Sequence, residues 1–226
     1  MLTKLLNSFS KRLIWLITGT VLPMSFAFAA GPNLQLESAN NNVRDVESLQ
    51  RGAVHFANYC MACHSTKYMR YNRIARDLGW QDEEVIDKMT YGLALPVDDV
   101  ITRIQEGVSQ QVFGTEAPDL SLMARLKGTD YVYSFIRGYF EEEEGKWNNH
   151  VLAGTSMPNV LEGVKRHSTT EEYDQTTRDI ANFLEYVAEP YKVKRWDLGW
   201  KVILFLLLLL ILTYLLKKEY WRDIKH

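Results

Sequence analysis

Cys60-Met61-Ala62-Cys63-His64 puts two thiols and an imidazole within about one helical turn, and these are the only two cysteines in the 226-residue chain. At that spacing each thiol can form a thioether with one vinyl group of a haem, while the imidazole turns toward the iron. The pentapeptide therefore reads as a covalent attachment site for one haem c through Cys60 and Cys63, with His64 as proximal ligand. Two other chemistries use the same residue types. Zinc needs four ligands, and no second cysteine pair is present to supply them. A redox dithiol belongs at the start of a helix that follows a strand. Here Val46, Leu49, Ala53, Phe56 and Cys60 recur at three- and four-residue steps, which predicts a helix leading into the motif.

A closed haem site needs a second axial ligand. Met61, Met69 and His55 lie too near His64 along the expected helix to reach the opposite haem face. Met89 and Met123 fall in segments that read as helical, where methionine more often fills the core. That leaves Met157, His150 and His167. Met157 follows Ala153-Gly154-Thr155-Ser156 and precedes Pro158, a stretch without helical period that can lay a thioether over the iron. The residues favour Met157, with His150 and then His167 as alternatives. His/Met ligation raises a haem's potential.

These groups need elements to position them. Ser168-Thr169-Thr170-Glu171 has the pattern of a capping box, and Tyr173, Ile180, Leu184 and Val187 then form one apolar stripe before Pro190 stops the helix. Gly52 interrupts the stripe of the helix before the haem motif and would let another helix approach closely. The two helices are expected to cross near Gly52 and Phe183 or Leu184, as in a small cytochrome c. The expected fold class is mostly α: a cytochrome c-like haem domain with long loops, plus one C-terminal transmembrane helix.

The ends of the chain imply export and anchoring. Residues 1–29 read as a secretory signal peptide, with Lys4, Lys11 and Arg12 before an apolar run and Ala27-Phe28-Ala29 as the cleavage site. An uncleaved anchor is the alternative, against which Gly19, Thr20 and Pro23 interrupt the run. Residues 30–197 form the predicted periplasmic haem domain, and residues 198–216 are apolar enough to cross a membrane as a helix of roughly 30 Å. Trp196 and Trp200 mark one rim, with Tyr214, Tyr220 and Trp221 at the other. Basic residues flank both ends of this span equally, so the export signal sets the orientation and leaves residues 217–226 as a cytoplasmic tail. Without the signal's three positive charges the formal net charge falls from −2 to −5, and without the tail it falls to −7. Such a surface suits a basic partner and repels nucleic acid. Glu141 to Glu144 is its densest run, readable as a docking patch or as a flexible loop.

From about Glu47 to the C-terminus the residues resemble cytochrome c1, the haem subunit of the cytochrome bc1 complex, in its proteobacterial form. The resemblance rests on Arg51-Gly52 leading to the haem motif, Ala117-Pro118-Asp119-Leu120-Ser121, Asp130-Tyr131-Val132-Tyr133 and Trp147-Asn148-Asn149. Met157-Pro158, Glu189-Pro190 and the closing Glu219-Tyr220-Trp221 complete it. It implies that Met157 is the distal ligand, that Arg125 pairs with a haem propionate, and that the carbonyl of the Ala117-Pro118 loop receives the His64 Nδ1 proton. It also implies electron transfer from a Rieske iron-sulfur protein to a cytochrome c, beside cytochrome b, in a dimeric ubiquinol-cytochrome c reductase of the bacterial inner membrane. Thr66 departs from the methionine common in the family. The alternatives are another anchored monohaem cytochrome, a haem enzyme or gas sensor with an open sixth position, and a tethered thiol oxidoreductase.

Overall fold

The computed structural model describes residues 34–105, 107–143 and 145–223, so the signal-peptide reading of residues 1–29 lies outside the described residues. From Leu36 onward helices supply most of the regular structure. Helix α1 (Val46–Tyr59) starts where the Asp45 carboxylate accepts the Ser48 N–H, and it buries Leu49, Ala53 and Phe56. Val46, expected on that stripe, is 42% exposed, although Ser48 and Leu49 of the same turn are buried. The chain then makes strand β1 (Thr66–Arg70), α2 (Tyr71–Leu78), α3 (Asp82–Thr90) and β2 (Asp99–Val100), which pairs antiparallel with β1. Met69 is therefore in a strand and buried, not on a helix continuing from His64. The cross-strand ladder has replaced the helical one.

Short helices α4 (Val108–Phe113) and α5 (Met123–Lys127) lead to α6 (Thr129–Arg137). An antiparallel hairpin follows, β3 (Tyr139–Glu143) with β4 (Lys146–Asn149). Glu141 to Glu143, readable from sequence as a flexible loop, are exposed positions of this hairpin. Helix α7 (Glu162–His167) precedes the long α8 (Thr170–Ala188), whose Tyr173, Ile180, Leu184 and Val187 are all buried as expected. The capping box sits one residue later than predicted. Thr169 caps α8 and Glu172 reciprocates, while the Ser168 hydroxyl instead donates to Val164 O at the end of α7.

Helices α1 and α8 cross at Gly52. A Cβ there would lie 2.1 Å from the Asp179 carbonyl oxygen and 2.8 Å from Phe183 Cβ. Asp179 and Phe183 are one turn apart on the same face, which is why Phe183 and not Leu184 meets the glycine. The Phe56 and Phe183 rings pack with centroids 5.6 Å apart. Asp179 is completely buried, and its carboxylate accepts from Arg51 Nε at 2.7 Å, Ser48 Oγ at 2.6 Å and Gln175 Nε2 at 2.8 Å. Ser48 Oγ also accepts from the buried Asn182 amide. A buried carboxylate is tolerated only when its oxygens are satisfied in this way.

After Glu189-Pro190-Tyr191 the chain enters α9 (Lys192–Tyr220), 29 residues with an exposed apolar surface from Leu198 to Leu216. It is long and apolar enough to cross a membrane. It begins before the apolar stretch because its first turns are charged and held by ion pairs, Arg195 to Glu189 and Asp197 to Arg44, both at 2.6 Å. Lys192 reaches the half-buried Glu185, which also accepts from Asn41 Nδ2 at 2.6 Å and Thr129 Oγ1 at 2.7 Å.

Two outcomes follow from this packing. Gly52→Ala should destabilise the haem-loaded, detergent-solubilised chain by about 3 kcal/mol or more in chemical denaturation, because the methyl meets backbone that cannot yield cheaply. Burial pushes the Glu185 carboxyl up, but hydrogen bonds from Lys192, Thr129 and Asn41 more than offset it and hold the group below the ordinary value. A depressed carboxylate stabilises the fold above its unfolded pKa of about 4.3, and that stability is lost as pH falls through the folded value. Glu185→Gln should lower stability at neutral pH and flatten its decline below about pH 4 in the same measurement.

Candidate functional site

The haem motif sits at the C-terminal end of α1. Cys60 N–H still bonds to Phe56 O, and one further turn closes with Cys63 N–H and His64 N–H both on Cys60 O at 3.1 and 2.9 Å. Cys60 and Cys63 are free and half-buried. Burial, aided by the neighbouring Cys63, pushes the Cys60 thiol up to about 12. A thiol held protonated is the opposite of the depressed, reactive thiol that disulfide exchange requires. Among the described residues no three His, Cys, Asp or Glu side chains gather as a metal cluster.

His64 is 8% exposed, and its Nδ1 lies 2.8 Å from Pro118 O. That pairing assigns the proton to Nδ1 and leaves Nε2 as the free donor atom. Burial lowers the imidazole's pKa, partly countered by the Pro118 carbonyl and the Asp119 charge, so the ring is held neutral as a ligand must be. The Pro118 loop is itself tied down. Leu120 N–H donates to Ser65 O at 2.8 Å, Asp119 accepts from Lys67 N–H at 3.0 Å and Ser121 N–H at 2.9 Å, and Ser121 Oγ accepts from Tyr68 N–H. On another side, Thr102 Oγ1 donates to Ala62 O at 2.7 Å and Thr102 N–H to Ser65 Oγ at 2.9 Å. The attachment turn is thus braced by two loops remote in sequence.

Met157 lies half-buried in irregular chain between β4 and α7. Tyr139 OH donates to its carbonyl at 3.0 Å, and its N–H reaches Thr155 Oγ1 at 3.4 Å. The competing donors are engaged elsewhere. His150 is exposed and stacked on Phe140 at 4.1 Å, and His167 is exposed with Nδ1 on Gly163 O. His55 stacks on Tyr59 within α1, Met61 receives the Tyr71 hydroxyl at 3.5 Å, and Met89 is fully buried in α3. Arg125 is exposed on α5; the Arg195 hydrogen bond is the main cause that lowers the pKa of Glu189, and the Arg125 charge adds a smaller part.

The residues present fit a covalently held haem. Two free thiols precede an oriented, neutral imidazole. The segments beside His64 and Met157 expose apolar groups that a macrocycle would cover: Leu122 (48%) and Leu126 (75%) follow the Pro118 loop, and Leu152 (49%) and Val160 (38%) flank Met157. Thr102 and Tyr139 carry no signal of a role in the sequence, and Asp119 and Ser121 enter it only as members of the Ala117 to Ser121 motif. Asp119-Leu120-Ser121 carries the signal of a side chain capping its own turn, but nothing local shows that the turn braces Ser65 to Tyr68. Asp119→Ala should cost about 1–3 kcal/mol in chemical denaturation of the haem-loaded chain, since two backbone donors lose a charged acceptor. Asp119→Asn, which keeps one acceptor oxygen, should lose about half as much.

Comparison with known proteins bears on the whole chain. It matches the Cytochrome C1 family over residues 38–99 and 94–224. It is 37% identical to cytochrome c1 of Allochromatium vinosum over 94% of this chain and 99% of that protein. It is 33% identical to a protein named ammonia monooxygenase gamma subunit from Nitrosomonas europaea, over 93% and 97%. Cytochrome c1 of Rhodospirillum rubrum is 28% identical, over 80% and 84%.

Proposed function

Because the chain belongs to the Cytochrome C1 family, we propose that it is the electron-transfer subunit of a bc1-type ubiquinol-cytochrome c reductase. The family binds haem c, and Cys60, Cys63 and His64 carry the attachment motif. The observation that carries the site reading is the 2.8 Å contact between His64 Nδ1 and Pro118 O, which presents Nε2 as the proximal ligand atom. Met157 would supply the second, thioether ligand, and Arg125 would pair with a haem propionate. When bound, haem c provides one-electron Fe(III)/Fe(II) cycling.

The chain's own residues contribute ligands, a dry pocket and a docking surface, and none acts as a catalytic acid or base. Cys60 and Cys63 tether the macrocycle. The loops at Thr102 and Pro118 hold the tether's backbone, so that the imidazole is oriented before any partner arrives. Electrons enter from a Rieske iron-sulfur protein and leave to a soluble or membrane-bound cytochrome c. Helix α9 anchors the chain in the bacterial inner membrane against cytochrome b in a dimeric complex. The haem domain faces the periplasm and the C-terminus the cytoplasm. The acidic domain suits a basic acceptor and not nucleic acid.

The second reading is another anchored monohaem cytochrome donating to a terminal oxidase or reductase, and the relative named as an ammonia monooxygenase subunit keeps it in view. Purification from native membranes separates the two. Covalent haem c should co-purify with b-type haem and an iron-sulfur protein in fixed proportion; haem c alone would sink the bc1 assignment. In the same preparation Met157→Ala should abolish the near-infrared band of a Met-ligated ferric haem and lower the potential, whereas an unchanged spectrum would remove Met157 as ligand.

A further inference from the structure

The hairpin after α6 carries a second set of contacts, four of them to the backbone of the segment that ends in Met157. Tyr139, at the start of β3, is 6% exposed, and its ring is held edge-on by Phe135 with centroids 5.7 Å apart. Its hydroxyl donates to Met157 O at 3.0 Å and lies beside the Thr155 hydroxyl. The opposite strand supplies Asn148 and Asn149, from a motif that the proposed electron relay leaves without a role. Asn148 Oδ1 accepts from Asn149 N–H at 2.8 Å and from Gly154 N–H at 2.9 Å. Asn149 is 1% exposed; its Oδ1 accepts from Val151 N–H at 2.8 Å and Leu152 N–H at 3.3 Å, and its Nδ2 donates to Phe135 O at 2.8 Å. Tyr139 and Asn149 are direct cross-strand partners.

An irregular segment of this kind normally owes its shape to whatever it binds. Here four backbone groups between Val151 and Met157 are already satisfied by side chains of the hairpin. We propose that Tyr139, with Asn148 and Asn149, is a positioning residue that pre-forms the Met157 loop, so that the thioether is held at the iron by the protein fold and not only by its own bond to the metal. The inference rests on reading Met157 as the distal ligand. Its physical content is preorganisation: a ligand already ordered loses less freedom on binding, so the open, five-coordinate state is less populated. Tyr139 acts on the ligand through the Met157 main chain and touches no reacting atom.

The test is Tyr139→Phe in the full-length chain within its purified complex, compared with wild type and Met157→Ala at equal covalent haem content. Phenylalanine keeps the ring and its packing on Phe135 and removes one hydroxyl. Loss of a single neutral hydrogen bond corresponds to a roughly five- to tenfold rise in the open state. Carbon monoxide should therefore bind the reduced variant roughly five- to tenfold faster, with a lower potential and a weaker near-infrared band. If Met157→Ala loses the band but Tyr139→Phe matches wild type in all three, the positioning role is overturned and the ligand stands. If Met157→Ala keeps the band, ligand and positioning role fall together. Should Tyr139→Phe accumulate no covalent haem, Thr155→Val, which withdraws the hydroxyl that accepts from Met157 N–H and lies beside the Tyr139 hydroxyl, is read by the same outcomes.

Discussion

The crossing of α1 over α8 at Gly52 is the contact on which the other parts are hung. It brings two backbones to a distance that admits no side chain, and it does so beside a fully buried carboxylate. The two features depend on each other. Asp179 can be buried because Ser48 and Arg51, both in the turn of α1 that leads into Gly52, reach its oxygens across the close contact. A wider crossing would leave that carboxylate short of donors, and an unpaired buried charge costs far more than the hydrogen bonds return. The glycine and the polar cluster therefore set the register of α1 on α8 together, because a slip of one turn would bring a side chain to the closest approach and take the donors away from Asp179. Since the haem motif begins where α1 ends, fixing α1 fixes Cys60.

The attachment turn is held by a different kind of bond. Its carbonyls at Ala62 and Ser65 and its imidazole Nδ1 are met by Thr102, Leu120 and Pro118, all from later parts of the chain. Backbone carbonyls and N–H groups carry much of this, so the geometry tolerates side-chain change in the bracing loops provided their turns survive. Asp119 and Ser121 secure one of those turns. The neutral state of His64 has the same origin, because burial disfavours the imidazolium more than the facing carbonyl and the nearby carboxylate favour it.

How far these arrangements could be read beforehand follows from the range of the forces involved. The α8 stripe, the α1 stripe from Leu49 to Phe56, the special role of Gly52 and the stop at Pro190 are local or periodic signals, and each is where the residues placed it. The capping box was visible but off by one, since Ser168 and Thr169 both precede a glutamate at the right spacing and only the end of α7 decides between them. The strand after His64 was misjudged as helix because its partner, Asp99–Val100, lies some thirty residues away and carries only two residues of signal. The hairpin at Tyr139 was hidden for a similar reason: Glu141 to Glu143 make β3 charged and exposed, so only Tyr139 at its start carries a buried signal. The irregular character of the Met157 segment was legible from its small residues and proline. Which side chains hold it was not, because they come from both strands of that hairpin.

The two proposed axial ligands come from opposite parts of the chain, and the structure refers both to one helix. His64 follows α1, which packs on α8 through Gly52, Phe56 and Phe183. Met157 is held by the hairpin after α6, and Arg137 at the end of α6 is paired with Asp174 of α8 and lies over the Tyr133 and Tyr173 rings. The anchor joins the same helix through Glu185 and Lys192. A distortion entering from the membrane helix would thus reach both ligand-bearing parts through α8 and move them together. Relative displacement of the ligands would need the Asp179 cluster or the Arg137 pair to break. An outer-sphere electron relay changes the charge of its centre while forming no bond to a substrate, so its protein has to resist rearrangement in both redox states. A common reference helix meets that demand with interactions that lie outside the haem ligands themselves.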